Sequence, residues 1–133
     1  MSKAYDVMAA SCPSRTVLHR IGARWTIFVV TALAEHEGPM RFTELKTRIQ
    51  GITPKVLTET LRALAADGFV VRMDRGGNPP HVDYELTDLG RSLWEPLQAV
   101  REWAETHVPD ILAARRAAGH SMASSTRPSR LRP

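Results

Sequence analysis

A single cysteine among 133 residues, Cys12, excludes an intrachain disulfide and any zinc site built on several thiolates, leaving only a disulfide between two copies open. The five histidines, His19, His36, His81, His107 and His120, lack ligand spacing and read as surface or cap residues rather than a metal site. No Gly-rich phosphate loop, HExxH or GxSxG pattern and no internal repeat is present. Without a nucleophile with its base, or a metal constellation, the expectation is a protein that is not an enzyme and needs no cofactor. The N-terminus lacks the apolar core of a secretory signal and no apolar stretch is long enough to span a bilayer, so the expected location is the cytoplasm, with no membrane partner.

What is present suits one modest domain. The expected organisation is an N-terminal arm over residues 1–11, a domain over 12–118, and a disordered basic tail over 119–133, low in apolar content. Lys and Arg exceed Asp and Glu by four, but Arg127, Arg130 and Arg132 lie in that tail, so net charge alone says little about partners. The cations cluster instead between Arg41 and Arg75.

That cluster coincides with the most patterned part of the chain. Residues 51–64 read Gly-Ile-Thr-Pro-Lys-Val-Leu-Thr-Glu-Thr-Leu-Arg-Ala-Leu. Thr53 suits an N-cap and Pro54 the first helical position, where its missing N–H costs nothing. Ile52 can staple onto Leu57 across the start of the helix. Leu57, Leu61, Leu64 and Ala65 are expected to face inward, and Lys55, Thr58, Glu59, Arg62 and Ala66 outward. Gly68 supplies the helix stop. The preceding helix, Met40 to Ile49, is expected to take Thr43 as its N-cap and to turn Arg41, Lys46 and Arg48 towards a polyanion.

After Gly68 the period changes to two. Phe69 to Asp74 and Val82 to Leu86 read as antiparallel strands joined by a turn-rich loop, Arg75 to His81. Helix, turn, helix and hairpin in this order are the layout of a winged helix-turn-helix. The outward residues of the second helix then become candidates for contact with phosphates or base edges, with Thr53 at its start, and Arg72, Arg75 and His81 become wing contacts to phosphate, Arg75 also to an adjacent minor groove.

The flanks read as helical. Ser14 to Ile21 is expected to turn Val17, Leu18 and Ile21 inward, and Ala23 to Glu35, apolar nearly all round, to lie at the centre of the domain. Thr87 caps a long helix whose stripe, including Leu93, Trp94, Leu97, Val100 and Trp103, exceeds what one small domain should cover and is expected to dimerise. Pro96 should kink it or be accommodated by a local adjustment, and Val108-Pro109 should begin a separate helix. The fold class expected is mainly α (α+β): a winged helix-turn-helix with N-terminal helices, a β-hairpin wing and a long C-terminal dimerisation helix.

The segments Cys12-Pro13, Ile21-Gly22-Ala23-Arg24-Trp25, Arg41-Phe42-Thr43-Glu44-Leu45, Gly51 to Thr58, Leu61-Arg62, Asp67-Gly68 and Tyr84-Glu85-Leu86-Thr87-Asp88-Leu89-Gly90, with Leu93, resemble the HxlR family of bacterial transcriptional regulators in order and spacing. The resemblance covers roughly residues 12–107. It implies a homodimer with N-terminal and C-terminal helices at the dimer interface, binding paired half-sites in double-stranded DNA. It also implies a possible sensor role for Cys12, through modification by an electrophile or an intersubunit disulfide. Two alternatives stand beside it: a small-molecule inducer held between the dimer helices near Trp25, Trp94 or Trp103, and a winged helix used as a protein-interaction module, against which Lys55, Arg62 and Arg75 argue.

Overall fold

Helical and strand periodicities alternate along the chain, and the elements of the computed structural model follow them. The structure describes residues 4–129, with side chains through residue 120. The elements are α1 (Pro13–Ile21), α2 (Thr26–Glu35), β1 (Met40–Arg41), α3 (Phe42–Arg48), α4 (Pro54–Ala66), β2 (Val70–Gly76), β3 (His81–Leu86) and α5 (Asp88–Ser129). They fall into two units, one through Gln98 and one from Ala99 onward.

In the first unit, Val29, Val30 and Leu33 of α2, Leu45 of α3, and Leu57, Leu61 and Leu64 of α4 meet Val70 and Leu86 of the hairpin in one core. Each fully buried leucine contributes about 1.5–3 kcal/mol of transfer free energy. Ala65, expected inward, is exposed. The inner face of α4 is a narrow stripe at residues 57, 61 and 64, and Ala65 lies just past its edge.

The boundaries of α4 follow its sequence closely. The Thr53 hydroxyl accepts the Val56 amide at 3.2 Å, and Ile52 and Leu57 are both buried. At the other end Gly68 takes φ +82°, the Phe69 amide donates to the Leu64 carbonyl and the Gly68 amide to the Ala65 carbonyl. This is a Schellman closure, and Phe69 and Leu64 supply its buried apolar pair.

Four expectations in the N-terminal half are corrected. Val17 and Leu18 of α1 are exposed rather than inward, because only Ile21 reaches the core. α2 begins at Thr26 instead of Ala23. Its apolar circumference is not buried all round, since Phe28 remains 50% exposed. The N-cap of α3 is Arg41, not Thr43. Met40 and Arg41 pair with Tyr84 and Asp83 as a short strand, which fixes them extended, and the Glu44 carboxylate accepts the Arg41 amide at 2.9 Å. The sheet therefore has three strands in the order β1-β3-β2, all antiparallel.

α5 starts as the sequence requires: the Thr87 hydroxyl accepts the Gly90 amide at 3.1 Å and itself donates to the Gly68 carbonyl. Leu97 is 7% exposed, and Leu93 and Trp94 lie partly buried against the core. Neither Pro96 nor Pro109 ends the helix, which is a single element through Ser129, so Val108-Pro109 does not begin a separate one. Each proline removes one backbone bond, which the neighbouring turns tolerate. In the second unit Val100 and Trp103 are 56% and 58% exposed, and Trp103 stacks on His107 with ring centroids 4.4 Å apart. The helix crosses residues 119–129, most of the segment expected to be disordered, and Gly119 is not among the glycines with positive φ. Residues 130–133 of that tail lie outside the described residues.

Candidate nucleic-acid interface

The turn between α3 and α4 orients the second helix, and the pattern of α4 decides which side chains face away from the core. Lys55, Glu59 and Arg62 are exposed on the side opposite Leu57, Leu61 and Leu64, and Thr58 is half-buried at the flank of that outer face. Among the described residues no carboxylate lies within ion-pair distance of Lys55 or Arg62. Both cations are therefore available to phosphate oxygens or guanine edges. Thr53 already accepts the Val56 amide, so its hydroxyl proton remains to donate outward from the helix N-terminus, where an anion is favoured. Lys46 is exposed in the last turn of α3, whereas Arg48 bonds Glu35 at 3.2 Å.

The wing differs from its sequence reading. β2 extends through Gly76 and β3 begins at His81, so Arg75 and His81 sit on strands and the loop is reduced to residues 77–80. Gly76 is opposite His81, with a bulge between Asp74 and Gly76. This register brings Arg75 and His81 onto one carboxylate. Arg75 Nε donates to Asp83 Oδ2 at 3.2 Å, and His81 Nε2 lies 2.9 Å from Asp83 Oδ1. Across the sheet Asp83 is the register partner of both Arg41 and Met73, which places Arg41 on the same face. Partial burial pushes the Asp83 carboxyl up, but the hydrogen bonds and charges of His81 and then Arg75 outweigh it and hold the group below its ordinary value. Arg72, on β2, is exposed.

Asp83 and β1 are what sequence reasoning missed. The alternation of β3 marked Asp83 only as a polar position, and its role depends on a register that the loop residues did not specify.

At the other end of the first unit, Cys12 is the N-cap residue of α1. Its sulfur lies 3.0 Å from Ser14 Oγ and accepts the Asp6 amide at 3.2 Å. The Ser14 hydroxyl bond and then the Ser14 backbone bond lower the thiol pKa, outweighing the opposing effect of burial, and the Asp6 amide lowers it further. Arg15, close in sequence, donates instead to the Met8 carbonyl at 3.4 Å. An open cavity of about 300 Å³ lies there, lined by Val7, Met8, Arg15, Leu18, His19 and Gly22. None of Trp25, Trp94 and Trp103 lines it.

The chain matches the HxlR-like helix-turn-helix family over residues 20–111, a span that contains the whole of α2 through β3. It belongs to the HxlR family. Within that family it is 40% identical over 110 residues to the uncharacterized HTH-type transcriptional regulator YtfH of Escherichia coli strain K12, an alignment covering 83% of this chain and 86% of the relative. Among solved structures, the regulator ytfH of Salmonella typhimurium is similar with a TM-score of 0.77 and 37% identity, covering 84% of this chain and 98% of that one. The redox regulator HypR in its oxidized form is similar with a TM-score of 0.64 and 36% identity, covering 71% and 96%. This HxlR-family chain is thus a DNA-binding transcriptional regulator of helix-turn-helix type with a winged-helix fold. Among the described residues no single helix is long and apolar enough to cross a membrane, and no cluster of three or more metal-ligating side chains occurs.

Proposed function

We propose that this protein is a cytoplasmic, sequence-specific regulator that binds paired half-sites as a homodimer, with α4 in the major groove and the β2–β3 wing on flanking phosphates. The observation that carries the reading is the outward stripe of α4, where unpaired Lys55 and Arg62 bracket Thr58 and Glu59 on a helix whose opposite face is fully committed to the core. Arg41, Lys46, Arg72, Arg75 and His81 serve as positioning contacts that carry no sequence information, and Thr53 as a phosphate donor at the helix start.

Dimerisation is supported by apolar side chains that the protomer leaves uncovered: Val17 and Leu18 of α1, Phe28 of α2, and Val100 and Trp103 of α5. Leu97 is committed to its own core, and Leu93 and Trp94, only partly buried there, continue the apolar stripe. Enrichment of duplexes from a random pool, followed by footprinting, tests the reading. A pair of half-sites protected one or more helical turns apart is expected. Failure to enrich any sequence refutes it.

Cys12 is proposed as the sensor of thiol-reactive compounds. The lowered thiol pKa and the similarity to a protein described as a redox regulator support this. The intact-mass shift of the protein after treatment with diamide or a quinone, compared with Cys12→Ser, tests it.

A further inference from the structure

We propose that Asp83 is the positioning residue of the wing, holding Arg75 and His81 from two different strands on one carboxylate so that both are presented to a DNA backbone in a fixed orientation. The inference rests on the wing contacting DNA, as proposed above. Its geometry is specific. Asp83 is only 13% exposed at its side chain, while the two groups it holds are about half exposed. Arg75 uses Nε for Asp83, and among the described residues its terminal nitrogens meet only the weak acceptor Met73 Sδ at 3.6 Å. Most of the guanidinium fork therefore remains open to a phosphate. His81 uses Nε2 and leaves Nδ1 without a hydrogen-bond partner among the described residues. Arg41 on the adjacent strand takes the register position opposite Asp83, so a third basic residue shares this face of the wing root.

A carboxylate near DNA has two opposed effects. Its charge repels phosphate at a range set by the Debye length. Its hydrogen bonds immobilise long cationic side chains before DNA arrives, which removes an ordering cost that binding would otherwise meet. We infer that the second effect is the larger here. The repulsion is already offset by the Arg75 guanidinium at 3.2 Å, whereas a released Arg75 would have several rotatable bonds to order.

The test uses the full-length protein and a random-sequence duplex of about three helical turns, titrated at several salt concentrations. Asp83→Asn, nearly the same shape, adds one net positive charge, so long-range attraction alone predicts tighter binding. Positioning predicts binding about fivefold weaker, a loss that persists at high salt and is absent when Arg75→Ala and His81→Ala are both already present. Arg75→Lys, an exposed change that keeps the charge but not the fork, is expected to weaken binding to a similar degree and guards against misfolding of the Asp83 variant. Unchanged or tighter binding by Asp83→Asn, or full affinity for Arg75→Lys, with Arg75→Ala still weakened, overturns the positioning role and leaves the wing as a contact. No effect of Arg75→Ala either overturns both.

Discussion

A Cβ built on Gly90 would lie 2.1 Å from the carbonyl oxygen of Phe69. The first turn of α5 is pressed against the α4–β2 junction, where the Thr87 amide donates to that same Phe69 oxygen at 3.1 Å and the Thr87 hydroxyl to the Gly68 carbonyl. No flexible side-chain tip is available to yield, because the obstructing atom is backbone. Gly90→Ala is expected to destabilise the protein by about 3 kcal/mol, the upper end for overpacking. Equilibrium chemical denaturation checks this, and a change near zero would show that α5 can shift freely along the hairpin.

How much of this was legible beforehand depended on distance along the chain. Thr53, Pro54, Leu57 and Gly68 dictated α4 because caps, periodicity and stops act within a few residues. Gly90 was visible as part of a family pattern, but its reason, the Phe69 carbonyl, lies 21 residues away. The same limit hid β1, whose two residues are extended only because β3 pairs with them, and Asp83, whose partners are set by a bulge. It also misassigned Val17 and Leu18, since an apolar periodicity says that a face seeks cover and not whether its own chain supplies it.

Cys12 should react at a lower pH than an ordinary thiol. Its pKa is lowered first by the Ser14 hydroxyl, so the thiolate persists to lower pH in the folded protein and the associated stability is present above the ordinary thiol pKa and lost as pH falls through the lowered value. The pH profile of iodoacetamide alkylation reads this directly. Ser14→Ala is expected to move the midpoint upward, and an unchanged profile would remove Ser14 as the cause.

Asp83 has the corresponding carboxylate behaviour. With its folded pKa held below the unfolded value, the stability it contributes is complete at neutral pH and is lost as pH falls from the unfolded carboxylate range through the lowered folded value. Asp83→Asn should therefore flatten the acid limb of thermal stability against pH. An acid limb identical to the wild type would show that Asp83 titrates alike in both states.

Charging α5 should separate assembly from folding. Val100→Glu, at an exposed position, is expected to give a folded monomer by sedimentation at micromolar concentration. Leu97→Glu, at a buried one, should unfold the protein instead. A wild type that sediments as a monomer would refute the proposed dimer, and a dimeric Val100→Glu would place the subunit contact elsewhere.

The reading of base edges by α4 is tested most directly by titrating Arg62→Ala and Thr58→Ala against an enriched operator and a scrambled duplex of equal length. Each variant is expected to lose about 1–3 kcal/mol on the operator and much less on the scrambled duplex. Equal losses on both duplexes would reduce these residues to backbone contacts, and no loss on either would contradict the placement of α4 in the groove.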